Sequence, residues 1–207
     1  MAVLSSISKA IFVGQRCKAA GPASAGARYE LMYSSGGWTE TVLHNFSAGQ
    51  DGAIPNGVIL DSADNLYGTT QGWFGGTGDR FGKVFQLVPS GSGWNENVLY
   101  TFQDGADGAV PAAGLVMDQQ GNLYGTTSGG VAGGAGTVFE LSPSGGGWTF
   151  NLLYSFSGCY GPLISVFPPG CGSQDSLIID SAGNLYGTTV SPGANGLGSV
   201  FELTYPN

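Results

Sequence analysis

Apolar and polar positions alternate along this chain in short runs, and the runs return in a fixed order. Val58-Ile59-Leu60-Asp61 leads, followed by Asn65-Leu66-Tyr67-Gly68-Thr69-Thr70, by Val84-Phe85-Gln86-Leu87, and by a longer alternating stretch over residues 94–102 that opens on Trp94. The order recurs with Leu115-Val116-Met117-Asp118, residues 122–127, 138–141 and 148–156, and again with Leu177-Ile178-Ile179-Asp180, residues 184–189 and 200–203. The three Asn-Leu-Tyr-Gly-Thr-Thr phrases start at Asn65, Asn122 and Asn184, 57 and then 62 residues apart. Each run is rich in β-branched or aromatic residues and is bounded by turn formers. A repeat therefore predicts four short antiparallel strands in a meander.

The turn residues agree with this reading. Asp61, Asp118 and Asp180 each stand at the end of a first run and can accept hydrogen bonds from the backbone ahead of them. Gly121 and Gly183, with Asp64 in the same place, can take the positive φ that closes a tight hairpin. The expected fold is all-β: a β-propeller-like array of three four-stranded repeats, over residues 57–102, 114–156 and 176–203. The strand at residues 38–46, which resembles the fourth of a repeat, is expected to complete the last blade and close the ring, since closure removes unpaired edges. Three units are few for a ring. An open arc that pairs with a second chain is the alternative, and Tyr29-Glu30-Leu31, which echoes the Val-Phe-x-Leu run, suits it. A closed ring predicts a monomer and an open arc a homodimer.

Composition narrows the class further. Glycine takes 38 of the 207 positions against an average of about 7%, which excludes a helical protein because glycine costs about 1 kcal/mol per helical position. All 14 acidic residues lie from Glu30 onward, while Lys9, Arg16, Lys18 and Arg28 are four of the six basic ones. Residues 29–207 thus hold two basic against fourteen acidic residues, a balance of −12. That surface excludes nucleic acid and disfavours anionic membranes, leaving a small neutral substrate, a glycan or a cation as partners. Residues 1–28 lie outside the repeats and read as a flexible arm or vestigial export segment, with residues 29–207 as one domain. Cys159 and Cys171 bracket a loop that can close as a disulfide in an oxidising compartment, leaving Cys17 over; three free thiols is the other reading.

These phrases, an Asp-x-x-Gly-Asn-Leu-Tyr-Gly-Thr-Thr core, a glycine-rich loop and a Val-Phe-x-Leu strand, resemble the Gloeo/Verruco tandem-repeat family of bacterial proteins. The resemblance implies a propeller-like fold and an extracellular or periplasmic setting, with no chemistry attached to particular residues. More distantly, Asp-x-x-Gly-Asn-Leu-Tyr looks like blade segments of gluconolactonase-type and NHL-type propellers. The former resemblance implies calcium-dependent lactone hydrolysis, the latter binding of macromolecules.

Standard catalytic signatures do not occur: there is no Gly-x-Ser-x-Gly elbow, phosphate loop or zinc spacing. His44, the chain's one histidine, stands where the later repeats have Tyr100 and Tyr154, which marks it as a candidate proton acceptor or as an inert strand residue. Asp51 and Asp107 head matching Asp-Gly-Ala phrases, and Asp175 stands at the corresponding junction of the third repeat. These three, with Asn56, either make turns or converge near the central axis on one calcium ion. With a metal, hydrolysis of a lactone or simple ester needs no Ser or Cys nucleophile. The alternative is a non-catalytic extracellular binding module for glycan or protein. Trp73 and Phe74, which do not repeat, are its candidate contacts, whereas Trp38, Trp94 and Trp148 repeat and read as packing residues or as a stacking surface.

Overall fold

The computed structural model describes residues 10–12, 27–34, 37–72, 80–91, 93–130, 136–157, 172–190 and 197–204, with side chains described from residue 37 onward. Among the described residues, fourteen strands form four separate antiparallel sheets. The first holds β1 (Ala10–Phe12), β2 (Ala27–Ser34) and β3 (Gly37–Asn45). The second holds β4 (Pro55–Leu60), β5 (Leu66–Thr70), β6 (Lys83–Ser90) and β7 (Gly93–Thr101). The third repeats this with β8 (Val116–Met117), β9 (Leu123–Thr127), β10 (Thr137–Ser144) and β11 (Gly147–Ser155). The fourth holds β12 (Ile178–Ile179), β13 (Leu185–Thr189) and β14 (Ser199–Leu203). No helix occurs among the described residues, so none there is long and apolar enough to cross a membrane.

The all-β, propeller-like architecture stands, but the chain does not close as expected. β3 pairs with β2 rather than with β14, and the fourth sheet has three strands among the described residues. The β2–β3 hairpin competes successfully because it reproduces the third and fourth strands of a repeat. Its register shift at Arg28/Tyr29 falls where the other hairpins shift at Val84/Phe85 and Val138/Phe139. Such bulges steepen the local twist. Residues 10–12, assigned from sequence to the arm, pair with residues 29–31 as β5 pairs with β6. Among the described residues the array is thus a run of four sheets, with three strands in the first and the last.

Packing between sheets follows one rule. Each sheet has a leading face, built in the second sheet from Val58, Leu66, Phe85 and Leu87, that packs on the sheet before it. Its trailing face, built from Ile59, Tyr67, Val84 and Phe102, packs on the sheet after it. One edge-on aromatic contact marks every junction: Phe46–Phe85, Phe102–Phe139 and Phe156–Phe201, with ring centroids 5.1, 5.2 and 5.2 Å apart. Each such pair contributes about 1 kcal/mol beyond the area it buries. The glycine of Asn-Leu-Tyr-Gly-Thr-Thr makes room for that ring. A Cβ at Gly68, Gly125 or Gly187 would approach the ring Cζ of Phe85, Phe139 or Phe201 to 2.7, 2.6 and 2.6 Å.

The first hairpin of each repeat closes as its residues suggest. Asp64, Gly121 and Gly183 have φ of 63°, 84° and 87°. Asp118 accepts from the backbone N–H of Gln120 and Asn122, from Asn122 Nδ2 and from the Tyr124 hydroxyl, all within 3.0 Å. Asp61 and Asp180 do the same for their own turns. These aspartates are turn caps.

A candidate metal centre between the first and second sheets

The first two loops that join a fourth strand to the next repeat each fold around an aspartate. In the first, Asp51 accepts from Ser47 N at 2.7 Å, Ser47 Oγ at 2.6 Å and Gly49 N at 3.2 Å. In the second, Asp107 accepts from Gln103 N at 2.9 Å and Gly105 N at 3.0 Å. What each carboxylate meets beyond its own loop differs. Tyr100, on β7, donates its hydroxyl to Asp107 at 3.0 Å and stacks on Phe150 of the next sheet, 4.4 Å between centroids and 16° between planes. Burial and the Asp107 carboxylate push that hydroxyl up to about 12. At the preceding junction, His44 takes the place of Tyr100 and Glu96 that of Phe150. An aromatic stack is replaced by an imidazole between two carboxylates.

His44 Nε2 lies 3.6 Å from Asp51 Oδ2 and 3.7 Å from Glu96 Oε2, and the three side chains are 20%, 16% and 12% exposed. One ligand atom from each falls within 4.8 Å of the other two. His44 Nε2 and Glu96 Oε1 are fully enclosed without a hydrogen-bond partner. Burial lowers His44 from its usual value despite the pull of Asp51, so the imidazole is neutral at pH 7. Burial also raises Glu96, joined by repulsion from Asp51 and opposed by Lys83, up to about 7. For Asp51, burial works upward but the Ser47 and Gly49 donors outweigh it, holding the carboxyl below its ordinary value. A neutral nitrogen donor and two carboxylates, two of their atoms lacking partners, form a donor set that fits a divalent cation. The imidazole favours zinc over calcium, which takes oxygen ligands, whereas the two carboxylates also suit manganese.

Among the residues anticipated from sequence, the structure brings His44 and Asp51 together and leaves the others apart. Asp107 is bound into its own loop and to Tyr100. Asp175 lies three residues before Ile178, the register position of Asn56 before Ile59, and is not the counterpart of Asp51; its Oδ2 accepts from Thr188 Oγ1 at 3.2 Å. Asn56 Nδ2 donates to Thr69 Oγ1 at 2.8 Å and Pro111 O at 2.7 Å, while Asn56 Oδ1 accepts from Gln71 Nε2 at 2.9 Å. Its amide ties the second sheet to the segment entering the third. Trp94 and Trp148 pack into the junctions, the latter edge-on to Tyr67 at 6.0 Å, whereas Trp38 is 54% exposed. Trp73, Phe74, Cys17, Cys159 and Cys171 lie outside the described residues. Glu96 was missed from sequence, although a signal existed. It departs from Phe150 as His44 departs from Tyr100, and the two positions face each other across a junction.

The class is therefore an open, propeller-like array of repeated antiparallel sheets. The model of the Gloeobacter/Verrucomicrobia repeat matches residues 17–167, and the chain belongs to that family. A comparison with curated proteins found no match. Among solved structures, the chain is similar to a candidate gluconolactonase, with 19% identity, a TM-score of 0.48, and 85% of this chain and 57% of that one covered. It is also similar to a gluconolactonase from Xanthomonas campestris, with 16% identity, a TM-score of 0.49, and 86% and 59% covered. The chain spans between half and two thirds of the length of each.

Proposed function

We propose that this protein is a metal-dependent hydrolase of lactones or simple esters, acting outside the cytoplasm, with a divalent cation held by His44, Asp51 and Glu96. One observation carries the reading. Where the next junction has a Tyr–Phe stack, this one has a neutral imidazole facing two carboxylates, with two enclosed polar atoms lacking partners. A bound cation would supply Lewis acidity toward an ester carbonyl and lower the pKa of a coordinated water. The protein's part is to present Nε2 unprotonated, to fix Asp51 through the Ser47 and Gly49 donors, and to let Glu96 release its proton near neutrality. A neutral substrate suits the acidic body. In place of the calcium ion expected from sequence, zinc is proposed because of the imidazole, or manganese because of the mixed nitrogen and carboxylate donors.

The test is titration of Zn²⁺, Mn²⁺ and Ca²⁺ into chelator-treated protein, reading melting temperature and the hydrolysis of a simple lactone and a chromogenic ester. Zinc or manganese should raise the melting temperature and support turnover, and Glu96→Gln should lose both effects. No turnover, together with melting indifferent to metal and chelator alike, would sink the proposal.

A binding module remains the second reading, favoured by two equivalent grooves between successive first-hairpin turns. One, of about 630 Å³, is lined by Asp61, Tyr67, Asp118 and Trp148. The other, of about 670 Å³, is lined by Asp118, Tyr124, Ile179 and Asp180. Capture of a glycan or protein weakened by Tyr67→Ala, with no hydrolysis, would decide for it.

A further inference from the structure

Lys83 is a buried cation that the chemistry above does not use. It is 4% exposed, and the third and fourth sheets have Thr137 and Ser199 at its register position. There a short hydroxyl pairs with its neighbour on the adjacent strand. Thr127 Oγ1 and Thr137 Oγ1 lie 2.9 Å apart, and Thr189 Oγ1 and Ser199 Oγ 2.8 Å. In the second sheet this pair is broken. Lys83 Nζ donates to Thr101 Oγ1 at 3.3 Å, and Thr70 Oγ1 is left enclosed without a hydrogen-bond partner.

The exchange falls at the junction that holds His44, Asp51 and Glu96. Gly52, next to Asp51, runs so close to Thr70 that a Cβ there would collide with the Thr70 hydroxyl. At the next junction Thr137 Oγ1 donates to the carbonyl oxygen of Asp107, the counterpart of Asp51, at 3.2 Å. Position 83 therefore sits beneath the loop that carries the Asp51 carboxylate. The charge of Lys83 also reaches Glu96, which it pulls downward against burial and repulsion from Asp51. Four enclosed side-chain polar atoms lack partners among the described residues, and three of them, His44 Nε2, Glu96 Oε1 and Thr70 Oγ1, belong to this junction. Departures that bury charge and break hydrogen bonds collect at functional sites.

We propose that Lys83 belongs to the metal centre as a built-in counter-cation, whose fixed positive charge offsets Asp51 and Glu96 in the apo protein and opposes a divalent cation entering between them. This role rests on the reading of His44, Asp51 and Glu96 as a metal centre. It makes Lys83 the residue that sets affinity. Repulsion from its ammonium keeps the ion exchangeable, where the same three ligands without it would hold the ion more tightly.

The experiment is calorimetric titration of Zn²⁺ and of Mn²⁺ into the chelator-treated full chain, for wild type, Lys83→Met, Lys83→Thr and Lys83→Arg. Methionine keeps the unbranched stem without charge, threonine restores the hydroxyl of the third repeat, and arginine keeps the charge. Lys83→Met and Lys83→Thr should each bind the ion about tenfold or more tightly than wild type, and Lys83→Arg should stay within about threefold of it. Threonine serves alone should Lys83→Met lose its far-UV circular dichroism. The sign separates this role from packing, since damage to the fold weakens binding in every variant. Adding Glu96→Gln to either neutral variant should abolish the gain, and a gain that survives puts the ion elsewhere and overturns the proposal. Neutral variants that bind no more tightly than wild type also overturn it, and leave the metal centre standing. Binding seen only in the neutral variants supports the role of Lys83 but sinks a metal-dependent wild-type hydrolase. No binding by any of the four overturns both.

Discussion

Replacing Glu96 by glutamine separates the electrostatics of the cluster from its packing. In the unfolded chain this carboxyl titrates near its ordinary value of 4.5, and in the folded protein it is raised to about 7. Between those values the folded state holds more protons, so the glutamate destabilises progressively as pH rises through this window and reaches its full effect above pH 7. The span of about 2.5 units at about 1.36 kcal/mol per unit corresponds to about 3 kcal/mol. Glutamine fills the same space without titrating. In chelator, therefore, Glu96→Gln should gain about 3 kcal/mol over wild type between pH 4 and pH 8, which is about 6–12 °C in melting temperature for a chain of this size. Urea denaturation of both proteins at half-unit pH steps measures it. His44 is lowered by burial, so it adds stability that rises with pH, opposite in sign to the Glu96 effect. A difference that stays flat from pH 4 to pH 8 would refute the reasoning, because Glu96 would then ionise as it does in water. With zinc or manganese at saturation the sign should reverse, since wild type alone gains the binding energy.

Three further outcomes are expected. Gly125→Ala should cost about 1–3 kcal/mol in thermal or urea denaturation, because its Cβ would come within 2.6 Å of Phe139 and 2.8 Å of Leu115; Gly93→Ala, with nothing within 4 Å, should change stability by less than about 0.5 kcal/mol. Asp118→Ala removes the acceptor of two backbone and two side-chain hydrogen bonds and should cost about 1–2 kcal/mol by the same measurement. Alkylation with and without reductant should differ by two thiols if Cys159 and Cys171 pair, and an unchanged accessible-thiol count rejects the bridge.

Strand content was legible in the sequence because the chain states it three times, in register with its turn residues. Asp61, Asp118 and Asp180 could be assigned as caps because their hydrogen bonds are local, closing within six residues. Closure was not legible. The N-terminal strand has the pattern of a fourth strand in any sheet, and only the competing β2, with its own third-strand register and bulge, decides its partner. The site was half legible. His44 is conspicuous as a departure from tyrosine, but Glu96 lies 52 positions away and acquires meaning only when the sheets stack. Asp175 misled because alignment by chain position ignores the longer loop before it, whereas strand pairing places it with Asn56.

The directional stacking of leading on trailing faces also sets how the molecule comes apart. Each sheet leans on its immediate neighbours, so stability is a sum of nearest-neighbour terms, as in other repeat arrays. The fourth sheet has one described junction and the second and third have two each. Amide exchange should therefore be graded along the chain, slowest in β5, β6, β9 and β10 and fastest in β13 and β14, as opening begins at the end and moves inward.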